Sequence, residues 1–116
     1  PLMSGNPSMP TASIQYNDDE KLAMARAAAG LLARWNVLGE TANRLLDGDE
    51  RTERAAALLT MHAALRRVFW DCDRAARWIG SANDAFNGSS ALDLMLAEGL
   101  AGMERVRAYV DAEIAS

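Results

Sequence analysis

Apolar positions recur along the chain with a helical period and never with the two-residue period of a half-buried strand. Asn17-Asp18-Asp19-Glu20 opens the first such run. Asn17 is placed to cap, Glu20 stands three residues on, and the acids suit the positive end of a helix dipole. Leu22, Ala25, Ala29 and Leu32 follow at helical spacing, and Trp35 closes the run before a break over 36–39. A short helix is expected over 41–46, with Gly48 as the glycine beyond its end. The longest helix is expected from Asp49 to about Trp70, with Leu58, Met61, Leu65, Val68 and Phe69 as its apolar stripe. Asp71 is placed to cap a fourth helix, which carries Ala75, Trp78 and Ile79 and stops at Gly80. A polar loop over 81–89 follows. Ser90 then caps a helix presenting Leu92, Met95 and Leu96, with Asp93 at its third position and Gly99 at its end. A last helix begins near Gly102 and aligns Met103, Val106, Val110 and Ile114. The pattern predicts an all-α fold of about six helices.

Composition strengthens that reading. Hydrophobic residues make up 50% of the chain, and Ala and Leu, both good helix formers, dominate them. The net charge of −4 argues against strong non-specific nucleic-acid binding, although six arginines cluster over 51–77. No apolar run approaches the ~20 residues needed to span a bilayer, and the opening Pro1-Leu2-Met3-Ser4-Gly5 has no signal-peptide pattern. The single cysteine, Cys72, forbids an intrachain disulfide, so a cytoplasmic protein is expected. Residues 1–16, rich in Pro, Ser, Gly and Asn, read as a flexible arm.

Catalytic chemistry is missing. His62 is the only histidine and sits on the stripe of the long helix, where a structural or interface role is expected. A metal site needs three or four converging ligands, which one His and one Cys do not supply. Cys72 stands at a helix start, but Asp71 and Asp73 flank it and oppose a thiolate. Gly30, Gly39 and Gly48 fall at helix positions and breaks, not in a phosphate-cradling pattern. The acidic runs at 18–20 and 49–50 suit helix starts. A protein without cofactor, metal or enzymatic activity is expected.

The C-terminal half carries a more specific order of residues. Phe69, Asp71, Asp73 and Ala76 lead to Trp78-Ile79; Asn83, Phe86 and Gly88 follow in the loop. Ser90, Leu92, Asp93, Leu94 and Met95 start the next helix, Gly99 ends it, and Val106, Tyr109 and Val110 lie on the last. In this order and spacing, residues 61–113 resemble the toxin-binding domain of the MbcA/ParS/Xre antitoxin family. Ala91 stands where that family usually has Pro, a residue that suits a first helical turn without being required there. Arg34-Trp35-Asn36-Val37 and Ala42-Asn43-Arg44-Leu45-Leu46 look like the start of the helix-turn-helix that precedes this domain in many members. The recognition helix that should come next is not evident, so DNA binding is doubtful.

The resemblance implies a partner, a RES-domain toxin that consumes NAD⁺ by glycosidic cleavage or ADP-ribosyl transfer, neutralised by covering its active site. The chain is expected to divide into the arm 1–16, a helical dimerisation region 17–60 that is a degenerate helix-turn-helix and whose Ala-rich first helix suits close packing, and a toxin-binding domain 61–116. A homodimer joined to two toxins is the simplest closed assembly. The candidate toxin-binding residues are Asn83, Phe86, Asn87 and Gly88 in the loop and Arg105, Arg107, Tyr109 and Asp111 on the last helix. The loop is held between two capped helices, and Arg and Tyr are frequent interface anchors. Two readings of Arg107 stay open: an i,i+4 pair with Asp111 on a solvated face, or a cation reaching into the anionic cleft of the toxin. Trp78, Leu92, Met95, Gly99, Val106 and Val110 are expected to be structural. Competing functions are a DNA-binding regulator of its own operon and a helical scaffold without a toxin.

Overall fold

The computed structural model describes residues 15–115. All but the last two residues of the arm expected over 1–16 lie outside them. The described residues form six α-helices in chain order, α1 (Asp18–Arg34), α2 (Gly39–Leu46), α3 (Arg51–Val68), α4 (Cys72–Gly80), α5 (Ala91–Glu98) and α6 (Leu100–Ala115), with no strand among them. The expected all-α class is therefore met. Asn17 and Glu20 form a reciprocal capping box at the start of α1, with bonds of 2.8 and 2.9 Å. The Asp71 carboxylate accepts from the Asp73 amide at 2.8 Å, and the Ser90 hydroxyl accepts from the Asp93 amide at 3.0 Å. Each satisfies an amide that the first helical turn leaves without a partner.

α3 is the central helix and packs on α6 along one side and α1 along the other. Ala55, Leu58, Met61, Ala64 and Leu65 of α3 are buried, as are Ala28, Leu31 and Leu32 of α1 and Met103, Val106 and Val110 of α6. Burial of each large side chain stabilises by about 1.5–3 kcal/mol relative to exposure. A single apolar cluster thus runs through helices from both halves of the chain. Leu22 and Val68, assigned to apolar stripes by spacing alone, are exposed. α3 ends at Val68, where the chain turns into α4.

The helix bounds depart from the periodicity at three glycines. Gly39 starts α2 two residues early with a φ of +59°, a backbone state that costs glycine little. Gly48, with φ +113°, opens a turn that delays α3 to Arg51. Gly102 does not precede α6 but lies inside it. A Cβ there would stand 2.5 Å from the Leu94 carbonyl oxygen of α5. The glycine is a contact between two helices, which periodicity reads as a break.

Candidate functional site

The loop between α4 and α5 is built by short-range bonding. Asn83 begins a single 3₁₀ turn, Asp84–Phe86, and its Oδ1 accepts from the Ala85 amide at 2.9 Å. The Asn83 carbonyl accepts from both the Phe86 and Gly88 amides, and its own amide donates to the Ser89 carbonyl. Asn87 adopts the left-handed conformation at φ 57°, which Asn tolerates better than most residues, and Gly88 follows at φ +86°. One antiparallel bridge between Ala82 and Ser90 closes the loop. Its amides are spent internally, so the loop has a defined shape.

That shape drives Phe86 inward. Phe86 is buried and meets Trp78 at 6.3 Å and Tyr109 at 5.3 Å between ring centroids, both edge-to-face. Trp78 stacks on Tyr109 at 6.1 Å with 10° between the planes, and Phe69 meets Trp78 at 6.3 Å. Rings at these separations attract beyond their buried area, by about 0.5–1.5 kcal/mol per pair. Four aromatic residues therefore join the end of α3, α4, the loop and α6. The Tyr109 hydroxyl completes the junction by hydrogen bonding with the side chains of Glu113 and Asn83. The Glu113 bond, then burial and the Glu113 charge, raise its pKa above 10.0, against a smaller lowering by Asn83. The hydroxyl is a neutral, positioned donor on a half-buried ring.

The predicted site residues separate into groups. Asn83, Phe86 and Tyr109 converge on the aromatic cluster, and Asn87 and Gly88 form its exposed rim. Arg105 is one helical turn before Tyr109, on the same side of α6, and its Nη1 donates to Glu98 at 2.7 Å. Arg107 and Asp111 pair at 3.6 Å, with both side chains about half exposed. At about 100° per residue, Arg107 lies about 200° around the helix from Tyr109. The two borders of the buried Val106–Val110 stripe therefore carry different groups, and one flat partner surface does not reach both. Trp78, Leu92, Met95, Gly99, Val106 and Val110 sit in or against the core or its caps.

Two residues escaped the sequence reading. Glu113 falls one turn after Tyr109, a spacing that signals a shared face but not the hydroxyl bond to it. Trp70, treated only as the end of the long helix, is fully exposed at the corner between α3 and α4. No group of three or more His, Cys, Asp and Glu side chains suited to a metal occurs among the described residues, and no described helix is long and apolar enough to cross a membrane.

Residues 64–113 match the model of the antitoxin Xre/MbcA/ParS C-terminal toxin-binding domain. The matched span starts inside α3 and ends in α6, so it takes in the whole aromatic cluster. Over 96 residues the chain is 35% identical to the uncharacterized protein y4oB of Sinorhizobium fredii (strain NBRC 101917 / NGR234), covering 83% of this chain and 70% of that protein. No solved structure matches the chain.

Proposed function

Because the chain belongs, through residues 64–113, to the Xre/MbcA/ParS antitoxin C-terminal toxin-binding domain family, we propose that it is the antitoxin of a toxin–antitoxin pair and neutralises a RES-domain, NAD-consuming toxin. It acts stoichiometrically by occluding the active site of the toxin and performs no catalysis itself. The family match carries this reading. The positioned loop and the Tyr109 face of α6 support it, since they offer a rigid, aromatic, hydrogen-bonding surface of the kind that anchors protein contacts. Within that surface, Asn83, Tyr109 and Glu113 form the centre, and Asn87, Gly88 and Arg105 the rim. Arg107 and Asp111 then serve α6 as an exposed ion pair.

Growth rescue tests the proposal. Cells producing the RES-domain toxin proposed as the partner are expected to grow when the wild-type chain is co-produced. Tyr109→Arg is expected to lose rescue and Arg107→Glu to keep it. Loss with Arg107→Glu alone would move the neutralising surface to the other border of α6. Deletion of 105–116 is a poor substitute, since it also removes Val106 and Val110 from the core.

Weak or absent sequence-specific DNA binding belongs to the same proposal. The chain passes from Leu46 at the end of α2 to Arg51 at the start of α3 through four residues, leaving no space for a separate recognition helix. Residues 51–57 are the first turns of the central helix, with Ala55 buried. A tight, salt-resistant gel shift on its own promoter would favour the regulator reading instead.

A further inference from the structure

A cavity of about 110 Å³ opens between the ends of α1 and α3 and the start of α4. Its walls are Trp35, His62, Leu65 and Phe69, and its mouth carries Arg34, Arg66, Trp70 and Asp71. Three observations single it out. Arg34 and Arg66 come from different helices yet both act on the His62 ring, and neither has a carboxylate within 4.0 Å among the described residues. The Nδ1 of His62 is buried and has no hydrogen-bond partner, and buried polar atoms in native proteins are normally paired. Trp70 stands fully in solvent beside the mouth, where an apolar or aromatic body would cover it.

The charges at the mouth favour an anion. Arg34 comes from α1 and Arg66 from α3, and both lower the pKa of His62, after burial itself, which is the larger cause. Asp71 is the one carboxylate at the mouth, and its side chain is already engaged by the Asp73 amide. Cys72, also at the mouth, is exposed. Two guanidinium groups against one engaged carboxylate leave a net positive entrance. Guanidinium forks match the two oxygens of a carboxylate, and the neutral imidazole supplies a further hydrogen-bonding position. The volume fits a single side chain or a small ring, not a nucleotide.

We propose that this pocket binds a carboxylate carried on a small planar or aliphatic body, with Arg34 and Arg66 holding the anion, His62 Nδ1 donating to it and Trp70 folding against the body. Phe69 lines this pocket and also meets Trp78 of the aromatic cluster. The ligand is either a free aromatic acid or an acidic side chain of another polypeptide, and the chemistry that recognises it is the same.

The test uses the full chain alone and so does not depend on the toxin. Sodium benzoate is titrated while the His62 ring signals are followed by NMR and tryptophan emission by fluorescence. Saturable shifts of His62 are expected, together with a rise of its pKa as the anion enters. Benzamide, the uncharged isostere, is expected to bind at least tenfold more weakly. The double variant Arg34→Gln/Arg66→Gln changes exposed side chains, and unchanged circular dichroism confirms its fold; it is expected to lose benzoate binding at least tenfold. Acetyl-Ala-Glu-Ala-amide forms the second arm. Tighter binding of the peptide than of benzoate supports the site and identifies a polypeptide as the source, and the reverse order supports it with a small acid as the source. No saturable shift with either probe, equal binding of benzamide, or full binding by the double variant would overturn the proposal.

Discussion

Two glycines inside helices have opposite meanings, and the difference is testable residue by residue. Gly80, the last residue of α4, has open space where a Cβ would go, and Gly102 has the Leu94 carbonyl oxygen at 2.5 Å and the Glu98 Cβ at 3.1 Å. Gly80→Ala is expected to stabilise by about 0.5 kcal/mol, because alanine restricts the unfolded chain without meeting anything in the fold. Gly102→Ala gains the same intrinsic helix preference but pushes backbone against backbone. Overpacking of this kind costs about 1–3 kcal/mol, so a net loss is expected and a thermal melt reads its sign. His62 gives a residue-scale prediction in pH. Burial, then Arg66 and Arg34, hold its folded pKa below 6.5, so just below that pH the unfolded chain binds a proton that the folded chain does not. Stability is therefore present above about pH 6.5 and falls as pH drops toward the lowered folded value. Urea midpoints at pH 7.5 and 5.5 should differ less in His62→Gln than in the wild type. Sequence reading placed His62 as a structural or interface residue. It had no means to see the unpartnered Nδ1, because that depends on how Trp35 and Arg66 surround the ring.

At the scale of elements, the caps were legible and the glycine contacts were not. Asn17, Asp71 and Ser90 cap where their side-chain chemistry says they should, because capping is local and needs only the next three residues. The start of α6 was expected near Gly102 and lies at Leu100, and the place of that glycine inside the helix depends on α5, which packs beside it. Arg54 is a similar case. Its Nη1 donates to the Arg44 and Leu45 carbonyls at the end of α2, at 3.2 and 3.3 Å, and its guanidinium lies where a Cβ on Gly99 would stand. One α3 side chain therefore fastens the end of α2 and fills the corner between α5 and α6. Bonds from a charged donor are worth about 1.5–3 kcal/mol, so Arg54→Met should destabilise by an amount in that range. Hydrogen exchange should quicken first at the α2 amides whose carbonyls it held. Uniform quickening along the whole chain would show that Arg54 serves the core generally and not α2. The loop over 81–89 was legible as a polar loop held between two capped helices. That its Phe86 and Asn83 meet Tyr109 was not, since those contacts join residues more than twenty positions apart.

For the whole molecule, the six-helix class followed from helical periodicity and local caps, and the family follows from the order of residues in the C-terminal half. Assembly is a matter of proposal. The outward face of α1, with exposed Ala23, Ala27 and Gly30, suits close packing against a second helix. Light scattering is expected to report twice the 12.5 kDa chain mass at micromolar concentration, and a monomer would contradict the dimer. The division of labour within the molecule turns on α6, whose buried stripe ties it to α3 and whose two borders differ. One measurement reaches the central claim directly: NAD⁺ loss catalysed by the purified RES-domain toxin proposed as the partner, followed as the folded chain is added. The account predicts that loss stops at one antitoxin chain per toxin, that Tyr109→Arg needs at least tenfold more protein, and that Arg107→Glu behaves as the wild type. Continued NAD⁺ consumption in the presence of excess folded wild-type chain would contradict it.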